Sequence, residues 1–324
     1  MSQLTVMLTN PIHPKALAML DARHRVVTSP DTSADTLRKV AQEADAILVR
    51  TLLPGDILDH APRVRTMVRH GVGLDFIPVD EATKRGVPVA NVPGANTLAV
   101  VEHVLGLMLL MARQYHRLDQ LTRQGDWECR NRLTSFELKG ETLGILGMGR
   151  IGCGLATLCN HGLGMKVLGY DPFAKDMPEG VRPASVEEIF QQSRFVSLHV
   201  PLTADTKNLV DNRLLATMRP EAYLINACRG AVVVEEDLIQ ALNDKIIAGA
   251  ALDVFNQEPL PSDHPFMKIP NLVITPHSAA LTDGSIVRMG TESVAELLSI
   301  LDLQKPVNLV NPDAWPAYVA KYGK

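Results

Sequence analysis

The stretch GETLGILGMGRIG, residues 140–152, constrains the fold more than any other part of this chain. Its apolar run TLGIL reads as a buried strand, Gly147, Gly149 and Gly152 follow in GxGxxG order, and RIGCGLATLCNHG continues with helical period. In a strand–turn–helix unit the first glycine permits the tight turn, the second leaves the backbone open to an anion, and the third lets helix and strand approach closely. A strand that feeds a helix this way belongs to a parallel sheet with helical crossovers. By itself the glycine pattern is a weak signal, because glycine-rich turns are common, and its surroundings have to support it.

They do. Short aliphatic runs alternate with segments of helical period from the start: residues 4–8, then HPKALAMLDA; residues 25–28, then SADTLRKVAQEA; then AILVR, TMVRHG and VPVANV. After a long amphipathic segment over residues 96–124, a second series runs through TLGILG, MKVLGYD, FVSLHV, AYLINA, IAGAALDVF and NLVITP. The alternation predicts an α/β chain with two doubly wound parallel-sheet domains. Its 324 residues suffice for two aliphatic cores, since one core stops growing near about 250 residues. NVPGANT puts the seam at residues 94–97, while the last helical stretch, 285–303, could join either unit.

Composition excludes several classes. Lys+Arg 32 against Asp+Glu 36, a net charge of −4, gives no electropositive face for nucleic acid. The start, MSQLTVMLTN, lacks the basic, apolar and cleavage regions of a signal peptide, so a cytoplasmic location is expected. LAVVEHVLGLMLLMA, residues 98–112, is interrupted by Glu102 and His103 and falls short of the ~20 residues that span a bilayer, so it reads as a buried helix and no membrane partner is expected. Cys129, Cys153, Cys159 and Cys228 form no CxxC pair and have no histidines at zinc spacing, so neither a disulfide framework nor a metal site is expected.

The strand MKVLGYD ends in Asp171, at the distance past the last glycine where a carboxylate accepts hydrogen bonds from ribose hydroxyls. Such a carboxylate repels a 2′-phosphate, and Pro172 and Phe173 bring no arginine to offset it, which favours NAD over NADP. Amides at the helix start, near Arg150 and Ile151, would face the pyrophosphate. Hydride removal from an alcohol carbon further needs a base for the hydroxyl proton and a cation to orient the substrate. Strand ends of the second series supply candidates: Arg229 in NACRGAVV, Glu258 in ALDVFNQEP and His277 in VITPHSAA. A guanidinium grips a carboxylate bidentately, an imidazole passes protons near neutrality, and a carboxylate beside it fixes its tautomer. Singly they read as a surface charge, a loop acid and a strand-end cap. Together they make an anion clamp, an orienting acid and a base.

These motifs resemble the D-isomer-specific 2-hydroxyacid dehydrogenases, a family that includes D-3-phosphoglycerate and D-lactate dehydrogenases and glyoxylate/hydroxypyruvate reductases. The likeness extends over RHGVGLDFI, NVPGANTLAVVEHVLGLMLLMAR, GETLGILGMGRIG, GYDPF, HVPLTADTKNLV, INACRGAVVVEEDLIQAL, GAALDVFNQEPL and PNLVITPHSAALT. It implies a flavodoxin-like substrate domain, residues 1–97 plus 285–324, into which a Rossmann NAD domain, residues 98–284, is inserted. It also implies a cleft that closes, and a homodimer built on the segment after Asn96. Arg229 would bind the substrate carboxylate and keto oxygen, His277 would be the acid/base and Glu258 its partner. Val200, Ala227, Cys228, Asp253, Ala279 and Ala280 would join Arg229 and His277 around the nicotinamide. Backbone amides of the loop Gly71, Val72 and Gly73 would hold the substrate carboxylate.

Arg50, Arg69 and His70 add cationic candidates near that loop, and His70 stands where small residues are common in the family. They suggest a substrate with a second anionic group, of the 3-phosphoglycerate type. Glyoxylate, hydroxypyruvate or sulfolactate chemistry is the alternative, and an NAD-sensing corepressor-like binding protein is the rival from outside enzymology. Many phosphoglycerate dehydrogenases continue into a regulatory domain, whereas this sequence stops at NPDAWPAYVAKYGK, so feedback through such a domain is not expected.

Overall fold

Both sheets of the protein are parallel throughout, as strands linked by helical crossovers must be. The computed structural model describes residues 3–323, in two units: one holds the chain up to Asn96 and again from Leu281, the other Thr97–Ala280.

The first unit opens with β1 (Thr5–Leu8), α1 (Pro14–Asp21), β2 (Arg25–Thr28), α2 (Ala34–Ala41), β3 (Ala46–Val49), β4 (Thr66–Arg69), α3 (Val79–Lys84) and β5 (Val89–Ala90). The strand order β2-β1-β3-β4-β5 is the flavodoxin-like order. Every residue of β1 and β3 is buried, which explains why they are apolar apart from Thr5: helices cover both faces of a parallel sheet. Ser33 starts α2 by accepting the Thr36 N–H, releasing the chain from extended to helical geometry.

The second unit begins with α4 (Thr97–Arg113) and α5 (Tyr115–Arg123). The long amphipathic segment of the sequence forms these two helices, which bend by 56° at Gln114, whose φ of 50° leaves the helical region. α4 buries Val100, Val104, Met108 and Met111 in a core shared with Leu143 and Ile145, while α5 buries none of its residues. Among the described residues no single helix is long and apolar enough to cross a membrane.

The unit continues with β6 (Thr142–Leu146), α6 (Arg150–Thr157), β7 (Lys166–Tyr170), β8 (Val181–Pro183), α7 (Val186–Gln192), β9 (Phe195–Leu198), α8 (Asn212–Leu215), β10 (Tyr223–Asn226), α9 (Glu235–Asn243), β11 (Gly249–Leu252) and β12 (Leu272–Ile274). Its order, β12-β11-β10-β9-β6-β7-β8, is that of a Rossmann sheet extended by one strand. The direction of winding reverses between β6 and β9, and ligands of such sheets bind outside the carboxyl ends at that point. β8 has no counterpart in the sequence reading: it carries Arg182 and Pro183, and only an edge position tolerates a strand residue without an N–H.

The chain then returns to the first unit through α10 (Asp283–Leu301) and α11 (Trp315–Tyr322). Thr282 caps α10 by accepting the Ser285 N–H, and the helix packs on α1, β3 and β4. Val294, Leu297 and Ile300 are fully buried there with Val6, Leu48 and Val68. The stretch 285–303 lies with the first unit, which takes up the chain again at Leu281.

Leu297→Ala should lower the unfolding free energy by about 2–5 kcal/mol in denaturant titration, the range for emptying a buried leucine site. A loss under about 1 kcal/mol would contradict this packing of α10.

Candidate active site

The glycine turn is built at the carboxyl end of β6. Gly147 has φ +93, and a Cβ there would stand 2.5 Å from the His199 carbonyl oxygen. Gly152, in the first turn of α6, packs so closely that a Cβ would run into the Gly147 carbonyl. Gly149 differs: it precedes α6 with open space where its Cβ would be. The two outer glycines are therefore demanded by the protein's own packing, and the middle one keeps free the ground in front of the helix amides of Arg150 and Ile151. That is the shape and polarity a pyrophosphate requires.

Asp171, just past β7, accepts the N–H of Met148 at 2.9 Å and that of Phe173 at 2.9 Å. It therefore ties the glycine turn to the end of the neighbouring strand, a task its sequence position did not suggest. A hollow of about 450 Å³ opens beside it, lined by Tyr170, Asp171, Lys175, Met177, Pro183 and Ala184 among others. Open ground over Gly149, helix amides and an acid beside a partly apolar hollow together fit an adenine dinucleotide.

The three chemical candidates meet at the ends of β10, β11 and β12. His277 Nδ1 lies 2.7 Å from Glu258 Oε2, with the side chains 40% and 35% exposed, so the pair faces outward. Arg229 acts on the same carboxylate. Burial works to raise the Glu258 pKa, but the His277 hydrogen bond, the Phe255 N–H and the charges of His277 and Arg229 outweigh it and hold the carboxyl below its ordinary range. Imidazole, carboxylate and guanidinium form one electrostatic unit.

Buried polar residues at the strand ends fix this arrangement. Asn226, the last residue of β10, donates to the Arg229 carbonyl at 2.8 Å and accepts the Cys228 N–H at 3.0 Å. Asp253, just after β11 and 0% exposed, accepts the hydroxyl of Thr275 at 2.6 Å and the N–H groups of Ser278 at 2.8 Å and Ala279 at 2.9 Å. Between these anchors His277 adopts φ +51, a left-handed conformation costing of order 1 kcal/mol for a side chain of this kind. Its N–H donates to the Asp253 carbonyl at 2.8 Å. His103 of α4 reaches the same corner, 3.3 Å from the Thr275 hydroxyl and 3.7 Å from Asp253. Asn226, Thr275 and His103 were not among the site residues read from the sequence; for the first two the available signal was a polar residue closing an otherwise largely apolar strand.

Ala279 is buried against the core beneath the turn, with Ala227 and Ala280 partly buried around it. The Val200 backbone N–H faces the Cys228 thiol, and burial pushes that thiol up to about 11. Among the described residues no group of His, Cys, Asp and Glu is arranged to hold a metal ion.

In the first unit the loop after β4 carries the remaining candidates. Gly71 has φ +144; its carbonyl accepts the Val92 N–H at 3.0 Å and that of Val72 accepts the Asn91 side chain at 2.8 Å. Arg69 braces the same loop, donating to the carbonyls of Gly73 at 3.1 Å and Val49 at 2.8 Å, with its guanidinium 4.1 Å from the Phe76 ring. Arg50 is half-buried and its guanidinium donates to the Pro11 carbonyl. His70 corrects the sequence expectation. Only 5% exposed, it turns its Nε2 toward Gly290 of α10, and burial, helped by the charges of Arg50 and Arg69, pushes its pKa down to about 4. It is a neutral core residue and supplies no positive charge to a ligand.

A family model described as "D-isomer specific 2-hydroxyacid dehydrogenase, NAD binding domain" matches residues 105–279. The chain belongs to this family. A glyoxylate reductase of Thermofilum pendens is 37% identical over 327 residues, covering 97% of this chain and 96% of that protein. A D-3-phosphoglycerate dehydrogenase of Methanocaldococcus jannaschii is 33% identical over 94% of this chain, which spans 59% of that protein's length. Among solved structures, the TT0316 protein of Thermus thermophilus superposes with a TM-score of 0.88 at 33% identity, covering 95% of this chain and all 100% of the other. The family makes the chain an NAD-dependent oxidoreductase acting on the CH–OH group of small 2-hydroxy acids.

Gly152→Ala should weaken NADH binding at least about tenfold in fluorescence titration, because helix and turn must separate to admit the methyl group; unchanged affinity would refute the packing described. His70 makes stability pH-dependent. Its folded pKa of about 4 lies below the ordinary 6.5, so only the unfolded chain takes up its proton as the pH falls. The contribution is full above 6.5, declines below it, and levels off once the pH passes about 4. Between pH 7 and 5 it amounts to about 2 kcal/mol, and His70→Gln should flatten the measured slope of unfolding free energy by that much.

Proposed function

We propose that this dehydrogenase interconverts a D-2-hydroxy acid and its 2-oxo acid with NAD, and that Arg229, Glu258 and His277 carry the substrate chemistry. The observation behind this reading is the 2.7 Å contact of His277 Nδ1 with Glu258 Oε2, with Arg229 acting on the same carboxylate. Gly147, Gly149, Gly152, Arg150 and Ile151 would hold the pyrophosphate and Asp171 the adenosine ribose. Residues 227–229 and 277–280, with Val200 and Asp253, would enclose the nicotinamide. The chemistry supplied by bound NAD would be acceptance or donation of a hydride at substrate C2. The side chains manage the rest. A carboxylate only accepts hydrogen bonds, so Nδ1 keeps its proton and Nε2 is left to take the hydroxyl proton as the alcohol becomes a ketone, or to give it back in reverse. Glu258 stabilises the imidazolium formed, and two N–H groups of Arg229 clamp the carboxylate and the keto oxygen.

Arg50 favours a substrate with a second anionic group. It is a partly desolvated cation whose pKa is lowered by burial alone, and an anion docking there would recover the solvation it has lost. The identity with glyoxylate reductases favours the alternative, a small 2-oxo acid such as glyoxylate or hydroxypyruvate. The exposed Leu98, Tyr115 and Trp127, together with α5, which buries nothing, support a homodimer formed through the segment after Asn96.

His277→Ala should cost ~10²-fold or more in kcat while NADH still binds; an intact rate would sink the assignment. In a screen of phosphohydroxypyruvate, sulfopyruvate, hydroxypyruvate, glyoxylate and pyruvate, Arg50→Gln should raise KM about tenfold for the first two and leave the rest within about twofold. Equal effects on all five would favour the small-acid alternative.

A further inference from the structure

Glu258 sits in a segment between β11 and β12 whose regular structure amounts to one short turn, Pro265–Lys268. A carboxylate presented from such a segment to within hydrogen-bond reach of an imidazole needs anchors supplied from elsewhere. Glu235, the first residue of α9, is 9% exposed, and its Oε1 accepts the Asn256 N–H at 2.8 Å. Its Oε2 lies 3.7 Å from His264 Nε2. The tautomer follows from the other ring nitrogen: His264 Nδ1 accepts the Phe266 N–H at 3.3 Å, so Nε2 carries the proton that faces Glu235. The His264 ring packs 4.6 Å from that of Phe266, which lies 6.3 Å from the ring of Phe255. Phe255 closes the circuit by donating its N–H to Glu258 Oε1 at 3.0 Å.

We infer that Glu235 and His264 are positioning residues for Glu258. One side chain on α9 holds the segment at Asn256 by a hydrogen bond and faces the His264 N–H at 3.7 Å, on either side of Glu258, and so keeps Oε2 aimed at His277 Nδ1. The pair completes a set: Asn226 holds the loop of Arg229, Asp253 holds the turn of His277, and Glu235 with His264 holds the loop of Glu258. The inference rests on the reading of Glu258 as the partner of the base.

The test is a mutant cycle in the full-length protein, measuring kcat, KM and the NADH dissociation constant by fluorescence. Glu235→Leu should lower kcat about tenfold or more, with KM and NADH affinity within about threefold. Glu235→Gln keeps an acceptor for the Asn256 N–H and should restore most of the rate. Because the effect passes through Glu258, Glu235→Leu should cost less than about twofold further in a Glu258→Gln background. An equal cost of Glu235→Leu in both backgrounds, or a Glu235→Leu enzyme as fast as the parent, overturns the inference. A fully active Glu258→Gln enzyme overturns the assignment of Glu258 itself, and this inference with it. If Glu235→Leu does not fold, His264→Gln measured through the same cycle has the same expected and overturning results.

Discussion

The buried carboxylate of Asp253 is the constraint on which the rest of the candidate site depends. Its oxygens accept one hydroxyl and two backbone N–H groups from the chain on either side of His277, leaving that residue in a left-handed conformation. Hydrogen bonds to a charged acceptor contribute about 1.5–3 kcal/mol each, so together they exceed the conformational cost of the turn. The imidazole is then directed by the backbone, and Glu258 has only to meet it. Remove the carboxylate and the turn relaxes, and the imidazole no longer has a defined direction.

The glycine turn obeys the same logic with steric exclusion in place of charge. Gly147 and Gly152 bring strand, turn and helix into direct contact, and Asp171 pins the intervening backbone through Met148. The ground above Gly149 is the by-product, a surface of amides with no side chain over it. Asp171 therefore braces the turn with the same carboxylate that is proposed to meet the ribose.

What could be read from the sequence was whatever is local. Strand, glycines, helix and acid follow one another within a single βαβ unit, so their spacing carried the glycine turn and the acid beside it directly. β1 and β3 were equally plain, because a doubly covered strand is apolar almost throughout, with Thr5 the exception. β8 was not, since Arg182 and Pro183 suit an edge and resemble a loop. Arg229, Glu258 and His277 were recognisable by chemistry, but their convergence depends on β10, β11 and β12 lying side by side in register, a long-range fact. His70 marks the limit. Its residue type suggested a charge at the loop, yet the direction of its side chain, set by the gap beside Gly290, makes it a neutral part of the core.

Cys228 adjoins the arginine expected to grip the substrate, a position where a reactive sulfur would be a liability. Asn226 accepts its S–H at 3.1 Å, and burial raises its pKa to about 11. Alkylating agents and peroxides attack the thiolate, which is scarce here at neutral pH. Arg229 thus has a chemically quiet neighbour, and this corner of the protein should outlast oxidative conditions that inactivate enzymes with exposed, ionised cysteines.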